Sequence, residues 1–345
     1  MLGTTRRTLP DLYADMAPHG LKPLWEVLGK LVPPHPEPQT EPHRWAYGPM
    51  RAFLAEAGDL ISAEKAERRV LILENPGLEG QSAITGSLYA GLQLVLPGEV
   101  APCHRHAPSA LRFVLEGSGA HTSVNGEKVL MAPFDLVLTP SGLWHDHGNL
   151  SEEPMVWLDG LDIPLLLSLE CGWAETYAET VFPETRPPGD TLARAGRGLR
   201  PWRPSQHDEA LGDQPLFHYP YSEWSVSLDA VQAVESPDET HGYKLEFVNP
   251  KTGGAVMKTI SAFAQRIPKG FKTSVGRSSA GTIMVLCEGS GVARVGKQRF
   301  ELSPRDVFVV PSWQELHFEA DEEMTLFGFS DRATQEALGL YRETN

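Results

Sequence analysis

From Val70 onward the chain is organised by alternation of apolar and polar positions, with short runs rich in Val, Leu and Thr set apart by Pro and Gly. Residues 70–74, 92–96, 111–115, 134–139 and 155–158 are the clearest of these, and their rhythm predicts the strands of a sandwich or small barrel. Before this region the spacing is helical. Residues 21–32 place Trp25, Leu28 and Leu31 on one side, and residues 49–67 predict a second helical stretch in two pieces split near Gly58. Pro33, Pro34, Pro36, Pro38 and Pro42 stop the first helix and predict an extended connector. A short helix is expected within 165–182 and another after Asp331. Residues 183–220 are rich in Pro, Gly and Arg. Trp202, Phe217, Tyr219 and Tyr221 give this segment apolar anchors, so it reads as a long ordered connector.

The β-rich pattern occurs twice. Glu116-Gly117-Ser118-Gly119 returns as Glu288-Gly289-Ser290-Gly291, and residues 135–141 return as 306–312. The offset is nearly constant, which argues for duplication. The expected division is a helical segment at 1–69, a first barrel at 70–182, a connector at 183–235, a second barrel at 236–330 and a tail at 331–345.

Chemistry concentrates in the first repeat. His104 and His106 are two residues apart, so a strand puts both on one face. His145 follows after a second apolar run. Asn125-Gly126, between the two pieces, is a strong hairpin signal and makes neighbouring antiparallel strands the expected arrangement. Three imidazoles suit Fe(II), Zn(II), Ni(II) or Cu(II), and ligand type alone does not choose among them. His147 shares a face with His145 and competes for the third place. Arg112 lies an even number of residues past His106, so period two puts it on the same face, where its fork could bind a carboxylate. In the second repeat, Gly276 and Ser278 fall where the first has His104 and His106. Only His317 stands near the third position, displaced by one, so the second barrel is expected to hold no metal.

Gly98-x5-His104-x-His106 and Pro140-x-Gly142-x2-His145-x3-Asn149 resemble the two cupin motifs. Ala110 and Leu111 occupy the places where the usual first motif supplies a glutamate, so the site resembles a three-histidine cupin. Residues 87–93, 104–117, 144–149 and 156–162, with Arg68-Arg69, resemble the gentisate 1,2-dioxygenase family. The resemblance implies an all-β bicupin of two antiparallel jelly-roll barrels behind a helical extension, and one Fe(II) per chain on His104, His106 and His145. It implies a ring-cleaving dioxygenase acting on gentisate with dioxygen to give maleylpyruvate. Arg68, Gln93, Arg112, His147 and Trp157 would lie around the substrate, with His147 and Asp159 as the catalytic groups. Asp159 could instead orient a ligand histidine. Salicylate or 1-hydroxy-2-naphthoate as substrate is the nearest alternative. A cupin isomerase or a small-molecule binder is the alternative from another class. The family also suggests a homotetramer.

The formal net charge of −15 makes a nucleic-acid partner an unattractive reading. Cys103, Cys171 and Cys287 are odd in number and widely spaced, which fits a reducing cytoplasm better than a disulfide framework. No basic-then-apolar leader pattern or bilayer-length apolar run is present, so neither a signal peptide nor a membrane span is expected.

Overall fold

The computed structural model describes residues 7–66, 68–198, 201–202 and 213–344, so the end of the second helical stretch at Glu67 and the middle of the connector lie outside it. The chain divides into two units, one ending at Glu37 and one running from Pro38. In the first unit a helix spans Leu9–Met16. It opens with a capping box, in which Asp11 Oδ2 accepts from the Thr8 backbone N–H at 2.8 Å. The single helix expected over 21–32 is broken into Leu24–Glu26 and Leu28–Leu31, because Val27 takes a non-helical φ of −127°.

The second unit is a bicupin. In the first barrel a six-stranded sheet faces a five-stranded one. In the second, a six-stranded sheet faces a three-stranded one, with a further two-stranded pair nearby. All recorded pairings of the four large sheets are antiparallel. Alternation gives each six-stranded sheet two buried faces. Leu111, Phe113 and Leu115 of strand Ala110–Glu116 pack between the barrels with Ile283, Val285, Phe327 and Phe329 of the other sheet. The Phe113 and Phe327 rings stack there, centroids 3.9 Å apart. Arg112 and Val114, on the opposite face, point into the first barrel.

The duplication reaches further than the barrels. Helices Tyr47–Leu60 and Tyr221–Val234 both have 14 residues, and each follows a short strand. The strands are exchanged. His43–Trp45 pairs with Val307–Val310 of the second barrel, while His218–Tyr219 pairs with Leu136–Thr139 of the first. Asp306 accepts from Tyr47 N at 2.9 Å, and Asp135 accepts from Tyr221 N at 2.8 Å. A second reciprocal clamp joins the barrels. Asp162 accepts from Thr259 Oγ1 at 2.5 Å, and Asp331 accepts from Ser87 Oγ at 2.6 Å.

Three expectations change. The stretch at 49–67 does fall into two helices, but Tyr47–Leu60 runs through Gly58 and the break comes at residues 61–62, before Ala63–Ala66. A Cβ on Gly58 would lie 3.2 Å from Leu94 Cδ2, so the glycine serves close packing on the sheet. Trp202 is 94 % exposed and anchors nothing, whereas Phe217 is fully buried. The Asn125-Gly126 turn, with φ of 47° and 83°, joins Ala120–Val124 to Glu127–Leu130. It is a different pairing, that of Val100–His106 with His145–Asn149, that sets His104 opposite His145. No helix among the described residues is long and apolar enough to cross a membrane.

Candidate metal centre and substrate pocket

The His104, His106 and His145 rings converge at one end of the first barrel. One ring nitrogen from each lies within 4.8 Å of the others. The centroids of His104 and His145 are 4.1 Å apart, and those of His106 and His145 are 4.8 Å apart. Each Nδ1 faces a backbone carbonyl: Pro102 at 2.8 Å, Pro108 at 2.8 Å and Leu143 at 2.9 Å. A carbonyl can only accept, so each Nδ1 carries the proton and each Nε2 presents a lone pair. Nε2 of His104 and of His145 is buried without a hydrogen-bond partner among the described residues. Burial holds the rings neutral, pushing His104 down to about 3 and His106 to about 4 and holding His145 well below its ordinary value. Buried, pre-aimed lone pairs on neutral rings fit a divalent transition metal.

His147 lies deeper on the same face. Its ring is fully buried, 5.7 Å from that of His145 and 5.8 Å from that of Trp157 by centroids. It stands outside the converging group of three. Its Nδ1 lies 3.0 Å from Thr122 Oγ1, and its Nε2 has no hydrogen-bond partner among the described residues.

Arg112 is buried opposite Asp159, with Nε 3.4 Å from Oδ1, and its Nη1 donates to Thr139 Oγ1. The count from His106 crosses the turn between the two strands. What aims Arg112 inward is its pairing with Asp159 across adjacent strands. Burial lowers Arg112 to about 10 and raises Asp159 to about 6, the latter against the pull of Arg112 and Arg68. Asp159 also accepts from Trp157 Nε1 at 3.1 Å. Its recorded partners are therefore Trp157 and Arg112, and backbone carbonyls do the orienting of the three histidines. Gln93 is buried across from Trp157 in the sheet.

The adjacent arginines separate cleanly. Arg69 is buried and holds Glu99 through two bonds of 3.0 and 2.8 Å, together with the Ile61 carbonyl. Arg68 is exposed, and its charge acts on His104, Arg112 and Asp159, which places it at the mouth of the barrel. Tyr89 was not singled out from the sequence. It is half-buried, and burial together with Asp159 pushes its phenol well up. Its inward period-two relation to Gln93 was the available signal. Asn149 instead ties the strand end down, donating to the Val95 and Glu153 carbonyls at 3.0 and 2.8 Å.

The cupin domain family model matches residues 91–161, the stretch that carries the four histidines, Gln93, Arg112, Trp157 and Asp159. Gentisate 1,2-dioxygenase 1 of Aquipseudomonas alcaligenes is 47 % identical over 334 residues, covering 97 % of this chain and 95 % of its own. The chain belongs to the gentisate 1,2-dioxygenase family. A Streptomyces gentisate 1,2-dioxygenase is 38 % identical, covering 98 % of this chain and 96 % of its own. The crystal structure of salicylate 1,2-dioxygenase from Pseudoaminobacter salicylatoxidans with gentisate superposes with a TM-score of 0.90 at 32 % identity. It covers 99 % of this chain and 96 % of that one. A salicylate 1,2-dioxygenase thus shares its backbone fold with this chain.

Proposed function

We propose that the chain is an Fe(II)-dependent dioxygenase that opens the ring of gentisate between the carboxyl-bearing carbon and the adjacent hydroxyl-bearing carbon, with both atoms of dioxygen entering maleylpyruvate. The observation that carries the reading is the set of three buried, lone-pair-bearing histidine nitrogens beside a buried arginine, in a chain 47 % identical to a gentisate dioxygenase. His104, His106 and His145 would hold one iron per chain. Iron held there would supply a Lewis acid and a redox centre for the reaction of the substrate with dioxygen. Three neutral ligands leave a dianionic substrate as the charge-balancing partner, which suits a buried pocket.

The side chains around that centre divide the remaining work. Arg112 grips the substrate carboxylate in a fork. Arg68, at the mouth, draws the anion in despite the negative chain as a whole. Gln93 and Trp157 fix the ring's position, and Asp159 holds Arg112 and Trp157 in place as well as offering a carboxylate near the reacting ring. His147 takes the phenolic proton on Nε2, with Thr122 holding the opposite nitrogen. The barrel at 70–182 carries the chemistry, and the exchanged strands and paired aspartate clamps give it a rigid support in the barrel at 236–330. Assembly as a cytoplasmic homotetramer accords with the family.

A gentisate complex of a salicylate dioxygenase gives specific weight to one other reading, salicylate as the substrate. An oxygen electrode decides, with metal-stripped enzyme reloaded with Fe(II) and offered gentisate, salicylate and 1-hydroxy-2-naphthoate in turn. Gentisate should give the fastest uptake, with one oxygen consumed per ring opened. No uptake with any of the three would leave an isomerase or binding role.

A further inference from the structure

The second barrel has lost its metal-binding side chains but kept a cavity. Strand register matches the two barrels position by position. Leu316 stands opposite Val295 as His145 stands opposite Val124, and Phe318 opposite Ala293 as His147 opposite Thr122. His317 therefore faces the other side of its strand and is no remnant ligand. Met284, Phe263 and Gly328 form the cross-strand set that Arg112, Gly91 and Asp159 form in the first barrel. The Phe263 ring takes up the room left by Gly328, where an added Cβ would come within 2.2 Å of it. The places of His145, His147 and Arg112 are thus apolar here, while Gln265 stands where the first barrel has Gln93.

A space of about 350 Å³ remains at this position, lined by Ser261, Phe263, Met284 and Phe318. That is the size of a small-molecule site. Polar side chains such as Gln265, Ser278 and Thr282 make up much of the rest of its lining, and Phe263, Met284 and Phe318 supply the apolar part. Ser261 is 2 % exposed, and its hydroxyl has no hydrogen-bond partner among the described residues. A buried hydroxyl left unsatisfied is costly, so a ligand atom that completes its bond is favoured. The rim carries both signs in balance. Arg277 pairs with Glu315, Arg332 with Glu336 and His241 with Glu343. Lys244 lies over the Phe263 ring at 4.2 Å and has Glu246 on the same face of its strand. Among the described residues each of these cations has an acidic partner or neighbour, so the rim carries no net positive charge.

We propose that the second barrel holds a metal-free site for a neutral, single-ring molecule carrying a hydroxyl group, a simple phenol. The ring lies among Phe263, Met284 and Phe318, and the hydroxyl meets Ser261. The site is separate from the metal centre and chemically its opposite, since it takes an uncharged ring where the first barrel takes a carboxylate.

Equilibrium dialysis of carbon-14 phenol against the iron-loaded enzyme tests this. The expected result is saturable uptake of about one phenol per chain at concentrations on the order of millimolar or below. Ser261→Ala should weaken it roughly three- to tenfold, the usual net worth of one hydrogen bond. Ser278→Leu, which fills the cavity wall, should abolish it, and ring-opening activity of both variants should stay near that of the parent. Arg112→Ala should leave phenol uptake unchanged, and benzoate should not compete. Uptake lost in Arg112→Ala would place phenol in the first barrel and overturn the proposal. So would the absence of saturable uptake, or uptake untouched by both serine changes.

Discussion

Replacing Arg112 with Met keeps much of the side chain's length and removes only the fork. In the structure that fork is buried, touching Asp159 at 3.4 Å and the Thr139 hydroxyl. Removing one partner of a buried charged pair costs about 2–5 kcal/mol, roughly 30- to 4,000-fold in affinity for a substrate carboxylate. The lower part of that range is expected. Burial has already raised Asp159 to about 6 against the pull of Arg112, and without that pull it rises further. The carboxyl is then more readily protonated, so the variant adds less negative charge beside the substrate than a fixed carboxylate would. A loss of about 2–3 kcal/mol, roughly 30- to 150-fold in Kd, is the expectation. Arg112→Lys should recover only part, since a point charge cannot reproduce two parallel bonds. The assay is anaerobic titration with gentisate on enzyme whose iron per chain is measured in the same sample. A Kd within threefold of the parent with iron intact would refute the assigned role. Loss of iron together with affinity would make Arg112 a support of the metal centre instead.

Replacing His104, His106 or His145 with Ala should remove iron and activity together, and full activity after His145→Ala would end the ligand assignment. For His147→Ala, iron should stay bound while turnover falls by roughly 10²–10⁴. An iron loss equal to that of His145→Ala would make His147 a ligand. Folding of the metal-free protein should weaken in acid: His104 and His106 titrate near 3 and 4 when folded, against an ordinary 6.5. The folded chain thus holds fewer protons, and their contribution is present above pH 6.5 and lost as pH falls toward 4 and then 3. Thermal melts from pH 7 to pH 4 check the slope, which should flatten in His106→Gln. Phe113→Ala, at a fully buried ring stacked on Phe327, should cost about 3–5 kcal/mol in denaturant unfolding.

Local order along the chain was enough to reveal the repeated barrel and the histidines at 104, 106 and 145, whereas Gln93, Trp157 and Asp159 came from the family resemblance. The reason is that strand alternation has period two and the cupin spacings are short, so both are written in neighbouring residues. The exchange of His43–Trp45 and His218–Tyr219 between barrels was not legible, because nothing in a three-residue strand names its distant partner. Nor could the sequence tell Arg68 from Arg69. Adjacent residues on a strand face opposite ways, and only the position of Glu99 decides which one is claimed by structure. The direction of Arg112 depended on Asp159 across the sheet, and the separation of His147 from the metal ligands depended on depth in the barrel. The Asn125-Gly126 turn was recognised for its left-handed backbone, but which strands it joined was fixed by non-local pairing. Residue type and spacing determined which chemistry was possible. Burial and cross-strand register, which are properties of the assembled sheets, decided which side chains meet to perform it.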